Sequence, residues 1–149
     1  MKTTLYLTVA VREDLRGRGA AAAVLRWDQS AAPRVIVRRM KNGGGVPGTY
    51  RALLFALWEA RRVGARSLIV DAGDSDVSAQ ILGADPPPEG ALGLYLQVRA
   101  LLNAFRSVVI ERSPGAGADA EAAAGAAEAA VGRRRAACAD LPLWTATAS

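Results

Sequence analysis

The chain has 149 residues, 51% of them hydrophobic, and a formal net charge of +5. That length fits one domain that buries its core without metal or disulfide support, and a single cysteine, Cys138, excludes an internal disulfide. Histidine is absent, which removes Ser/His/Asp and Cys/His catalysis, histidine general acids and imidazole metal sites, and leaves carboxylates, hydroxyls or bound ions for any chemistry.

Leu5 to Val11 is rich in β-branched and aromatic residues with apolar groups on both faces, and reads as a buried strand. A charged turn, Arg12 to Gly19, leads to Ala20 to Trp27, a second strand despite its alanines. Arg34 to Met40 is a third, followed by a loop from Lys41 to Gly48. Thr49 then stands as the N-cap of a helix, Tyr50 to Arg62, stopped by Gly64 and carrying Leu53, Leu57 and Ala60 at helical spacing.

Ser67 to Asp71 is a short apolar strand running into a Gly-Asp-Ser turn, where Asp74 or Ser75 caps a helix from Asp76 to Leu82. Asp85 to Gly90 is a stiff proline-rich connector. Leu94 to Phe105 is an amphipathic helix and Ser107 to Glu111 the last strand. In the alanine-rich remainder a helix is expected from Asp119 to Ala130, with Arg133, Arg134 and Arg135 near its end, where positive charge complements the dipole. The domain is drawn as residues 1–131, and residues 132–149 as a C-terminal extension packed on it, with Leu141, Leu143 and Trp144 as the apolar anchor. Three strands followed by alternating helices and strands make a mixed α/β sheet, antiparallel first and then linked by crossovers.

The text from Tyr50 to Asp119 resembles the second half of a type 1 ribonuclease H domain. The matching stretches are Asp74-Ser75-Asp76-Val77-Ser78-Ala79-Gln80-Ile81, Leu94-Tyr95-Leu96 and Arg112 to Asp119, with Gly115 in place of the family's Asn; Tyr50-Arg51-Ala52-Leu53-Leu54 looks like its Glu-Tyr-Arg-Ala-Leu. The resemblance covers about residues 5–130 and implies the ribonuclease H-like fold, an α/β fold with a mixed five-stranded sheet flanked by helices. It also implies a site in which clustered carboxylates hold two divalent cations for in-line attack on a phosphodiester. Asp74 takes the third family position and Asp119 the fourth. The first falls at Thr8 or Ala10 and the second at Thr49, and none of these carries charge.

Two carboxylates against two dications leave a surplus of positive charge, and hard ions such as Mg²⁺ need oxygen ligands in near-octahedral array. Glu13, Asp14, Asp71 and Glu111 are the acids placed to compensate, with Asp71 an alternative strand-end acid if Asp74 is only a cap. The first expectation is therefore a domain with a degraded metal site that binds nucleic acid, an RNA/DNA hybrid or RNA, through Arg16, Arg18, Arg38, Arg39 and Lys41. The second is an active ribonuclease H using Mg²⁺ or Mn²⁺ with Asp74, Asp119 and a relocated acid; without activity no cofactor is expected. The third is a structural homodimer without nucleic acid. No run approaches the roughly 20 apolar residues of a membrane span, the opening Met1 to Leu5 has no secretory pattern, and a cytoplasmic protein is expected.

Overall fold

A computed structural model of the chain describes residues 4–28, 32–41, 44–111 and 117–144, with side chains through Gly132. Five strands form one sheet: β1 (Thr4–Glu13), β2 (Gly19–Trp27), β3 (Arg34–Met40), β4 (Ser67–Asp71) and β5 (Ser107–Ile110), in the order β3-β2-β1-β4-β5. The first three are antiparallel neighbours, and β4 and β5 add in parallel on the other side of β1. All five strand expectations hold.

The alanines of β2 explain how a helix-favouring composition becomes a central strand. Ala20 to Ala23 are at most 1% exposed, and alternation sends Ala21, Ala23 and Leu25 into the main core while Ala20 packs with Ala130 and Val131 on the opposite face. Small side chains let helices approach both faces of the same strand. Burial on two sides then overrides intrinsic propensity.

The helices are α1 (Gly45–Arg62), α2 (Ser75–Ile81), α3 (Leu92–Leu102) and α4 (Ala118–Trp144), with a 3-10 turn at Glu89–Ala91 before α3. Leu53, Ala56, Leu57 and Ala60 of α1 close over Leu5, Leu7 and Val9 of β1 and Leu68 and Val70 of β4; each fully buried leucine contributes about 1.5–3 kcal/mol. On the other face α4 crosses β1, β2 and β3, its buried stripe of Ala120, Ala123, Ala127, Ala130 and Val131 following helical spacing.

The helix expected from Asp76 to Leu82 runs Ser75–Ile81 and the one expected from Leu94 to Phe105 runs Leu92–Leu102; the limits of α1 and α4 differ more. Thr49 does not cap α1: the cap is Gly44, and Thr49 lies a turn inside, its hydroxyl donating to the Gly45 carbonyl at 3.3 Å. The first turn is Gly-Val-Pro-Gly, text that reads as loop, yet Pro47 is tolerated there because its missing N–H has no intrahelical acceptor to lose. The last helix continues past Ala130 to Trp144, so the division drawn at residue 131 falls within α4. Side chains of Arg133 to Arg135, Cys138, Leu141, Leu143 and Trp144, and the Arg112 to Ala116 part of the family-like motif, lie outside the described residues. Among the described residues no helix is long and apolar enough to cross a membrane.

Candidate functional site

The middle of β1 and the carboxyl end of its parallel neighbour β4 bring together the residues that matter. Thr8 and Asp71 are partners in the β1–β4 register. Both are almost wholly buried, Thr8 at 5% exposure and Asp71 at 9%, and both line a cavity of about 540 Å³. Glu111, just past β5, and Asp119, in the first turn of α4, line it too, as do Tyr6 and Arg26. Asp71 accepts a hydrogen bond from the Gly73 N–H at 2.9 Å. Asp119 is engaged by Arg26, whose Nε donates to Oδ2 at 2.9 Å.

Asp74 is elsewhere. It caps α2, its Oδ1 accepting from the N–H groups of Asp76 at 2.8 Å and Val77 at 3.1 Å, and it lines a second cavity of about 300 Å³ together with Glu13, Gly44 and Thr49. The two acids matched to the family pattern thus open onto different cavities. Gly73 sets this arrangement: its φ is +71°, and a Cβ there would collide with the Val9 carbonyl oxygen, so the turn from β4 to α2 needs glycine both for conformation and for close approach to β1. A Cβ at Gly44 would likewise overlap the Glu13 carboxylate. Glu13 therefore rests against the amino end of α1, a helix without a side-chain cap or an acid in its first turn, where negative charge is favoured.

Among the described residues no three His, Cys, Asp or Glu side chains are grouped closely enough to hold a metal ion. Of the four acids placed to compensate, Glu13 shares a cavity with Asp74, while Asp71 and Glu111 share one with Asp119. Asp14 belongs to neither lining: it builds the β1–β2 turn, accepting from the Arg16 N–H at 2.9 Å and the Arg18 N–H at 3.0 Å and meeting Arg18 Nε at 3.3 Å. Burial pushes its carboxyl up, but those two amides and the Arg18 guanidinium outweigh it and hold it below the ordinary value of 3.8.

The basic residues divide as well. The β1–β2 turn lies at the sheet end marked by the Glu13–Gly19 and Gly19–Met40 pairs, so exposed Arg16 stands near Lys41. Arg38, Lys41 and Arg51 line a groove of about 350 Å³ over Phe55, with the Arg38 guanidinium 5.2 Å from the ring centre. Strand alternation puts Arg39 on the opposite face from Arg38, and Arg18 is tied to Asp14. Sequence reasoning missed Arg51 and Arg26. The signal for Arg51 was its position one helical turn before Phe55; for Arg26, nothing local foretold a bond to a residue 93 positions away.

The chain matches the reverse transcriptase-like family over residues 8–115. No curated protein matches it. Among solved structures it is similar to the N-terminal RNase H domain of Rv2228c from Mycobacterium tuberculosis, solved as a fusion with maltose binding protein, at 23% identity and a TM-score of 0.69, covering 89% of this chain and 99% of that one. It is also similar to RNase H1 from the halophilic archaeon Halobacterium salinarum NRC-1, at 22% identity and a TM-score of 0.67, over 83% of this chain and 93% of that one. The likeness extends to LC11-RNase H1 in complex with RNA/DNA hybrid, at 13% identity and a TM-score of 0.57, over 74% and 85% of the two chains. With sheet order and family match in agreement, the chain belongs to the reverse transcriptase-like family and is a ribonuclease H-like domain.

Proposed function

We propose that this domain binds nucleic acid, an RNA/DNA hybrid or RNA, at the sheet end formed by the β1–β2 turn and the Arg38–Lys41–Arg51 groove, and that it does so without metal-dependent cleavage. The observation that carries the reading is the pair Thr8 and Asp71: the acid on β4 faces a neutral hydroxyl on β1. Mg²⁺ and Mn²⁺ do not fit the donors present. Thr8 and Thr49 are uncharged, Asp74 is spent on a helix cap and opens onto a different cavity from Asp119, and Asp119 already holds an arginine. A hydroxyl can touch a hydrated dication but does not neutralise it.

The basic groove supplies what binding needs. Arginine's planar fork suits phosphate oxygens, Arg16, Arg38, Lys41 and Arg51 are all exposed, and a structurally similar protein is known in complex with RNA/DNA hybrid. Fluorescence anisotropy of a labelled hybrid across a salt series tests the reading. With three or four phosphate contacts, log affinity is expected to fall against log salt with a slope of about −3. Folded protein that ignores the hybrid at low salt refutes it.

A second reading, a Mg²⁺- or Mn²⁺-dependent ribonuclease H, draws on one observation: Asp71, Glu111 and Asp119 line a single cavity. It requires the Arg26–Asp119 pair to open. Loss of RNA strand cleavage in Asp71→Asn, with wild type cleaving, favours this reading over the first.

A further inference from the structure

We propose that Trp58 is a stacking platform for an unpaired base, so that the domain takes a duplex together with a single-stranded segment running out of the basic groove along α1. The inference rests on the reading above that nucleic acid occupies that groove, and adds a second kind of contact to it.

Trp58 is 58% exposed, the one exposed aromatic side chain among the described residues. Its place on α1 gives that exposure a direction. Arg51, Phe55, Trp58 and Arg62 recur at helical spacing and share one face of the helix. Arg51 and Phe55 already line the groove with Arg38 and Lys41. Trp58 stands two helical turns beyond Arg51, about 10 Å along the axis, in line with the groove's open end.

The surroundings of the ring suit a base with its phosphate. The Arg61 guanidinium lies 5.7 Å from the ring centre, so a cation accompanies the aromatic face, and Arg61 and Arg62 are both exposed. The only acid of α1, Glu59, is drawn to Arg62 at 3.3 Å with its side chain 17% exposed, which leaves positive charge facing outward. Every base offers a π-face and arginine takes the adjoining phosphate, the pairing by which single strands are held. Bases within a duplex are already stacked on one another, so a ring of this kind serves an unpaired one. Trp58 is also the only large exposed apolar residue of α1, whereas docking of a protein calls for a contiguous apolar patch.

The test uses the full chain and a labelled RNA/DNA hybrid, blunt or carrying a short thymidine or uridine overhang at each strand end in turn, with affinities measured by fluorescence anisotropy. The readout is the ratio of overhang to blunt affinity. Wild type is expected to bind at least one overhanging hybrid about tenfold more tightly than the blunt one. That ratio is expected to fall to about one in Trp58→Ala and in Trp58→Leu, which keeps an apolar group without a π-face, and to be largely kept in Trp58→Phe. Circular dichroism establishes that each variant is folded. Overhangs that add nothing at any end, or a ratio that survives in Trp58→Ala and Trp58→Leu, overturn the inference and leave the groove reading standing. Folded wild type that binds neither kind of hybrid at low salt overturns both.

Discussion

Thr8 and Asp71 stand side by side on the parallel strands β1 and β4, a neutral hydroxyl against a carboxylate, both almost wholly buried. Converting the threonine to an acid tests how much the site depends on that neutrality. Thr8→Asp places a second buried carboxylate beside the first with no added cation, and is expected to destabilise the fold by about 3 kcal/mol in urea denaturation at neutral pH without divalent ions. A variant as stable as wild type contradicts the burial argument.

Asp74 serves the helix it begins. Asp74→Ala removes the acceptor of two N–H groups at the start of α2 and is expected to cost about 0.5–2 kcal/mol, whereas Asp74→Asn keeps an acceptor and is expected to be nearly neutral. Denaturation midpoints of the two variants separate a cap from a role that requires the charge.

Tyr50 is fully buried and its hydroxyl donates to Gln80 Oε1 at 2.5 Å. Tyr50→Phe leaves that amide oxygen without its donor and is expected to cost about 1–3 kcal/mol. Burial, helped by the charges of Tyr95 and Asp74, pushes the phenol up to about 12 from an ordinary 10.0. A raised acid of this kind stabilises the fold fully below pH 10 and loses that contribution as pH climbs through about 12. Absorbance titration at alkaline pH is expected to show one tyrosine ionising late in wild type and missing in the variant.

Asp14 works in the opposite sense. Its carboxyl is held below 3.8 by the Arg16 and Arg18 amides and the Arg18 guanidinium, so its contribution is present above that value and is lost as pH falls through the lowered folded one. Asp14→Asn is expected to be less stable than wild type at pH 7 and indistinguishable from it in strong acid. It is also expected to weaken hybrid binding, because the turn that presents Arg16 loosens.

The sheet was legible because each strand carries its own composition and is bounded by charged or glycine-rich text, as in Leu5 to Val11 and Arg34 to Met40. The start of α1 was not, because Gly-Val-Pro-Gly has no helical preference and is held by Gly44 as cap and by packing over β1. The site was half legible. Asp74 sits in family-like text, but a spacing cannot say whether Asp71 or Asp74 shares a cavity with Asp119; the register of β1 with β4 and the tight Gly73 turn decide it. The basic patch was read from sequence neighbours, and alternation along β3 parts Arg38 from Arg39.

The reading stands or falls on one incubation. A labelled RNA/DNA hybrid is mixed with wild-type protein at low salt, in EDTA and in Mn²⁺, and both retention and RNA strand length are read on gels. Retention in both conditions with the RNA strand intact is expected; a strand shortened only in Mn²⁺, or a hybrid left free by folded protein, contradicts it.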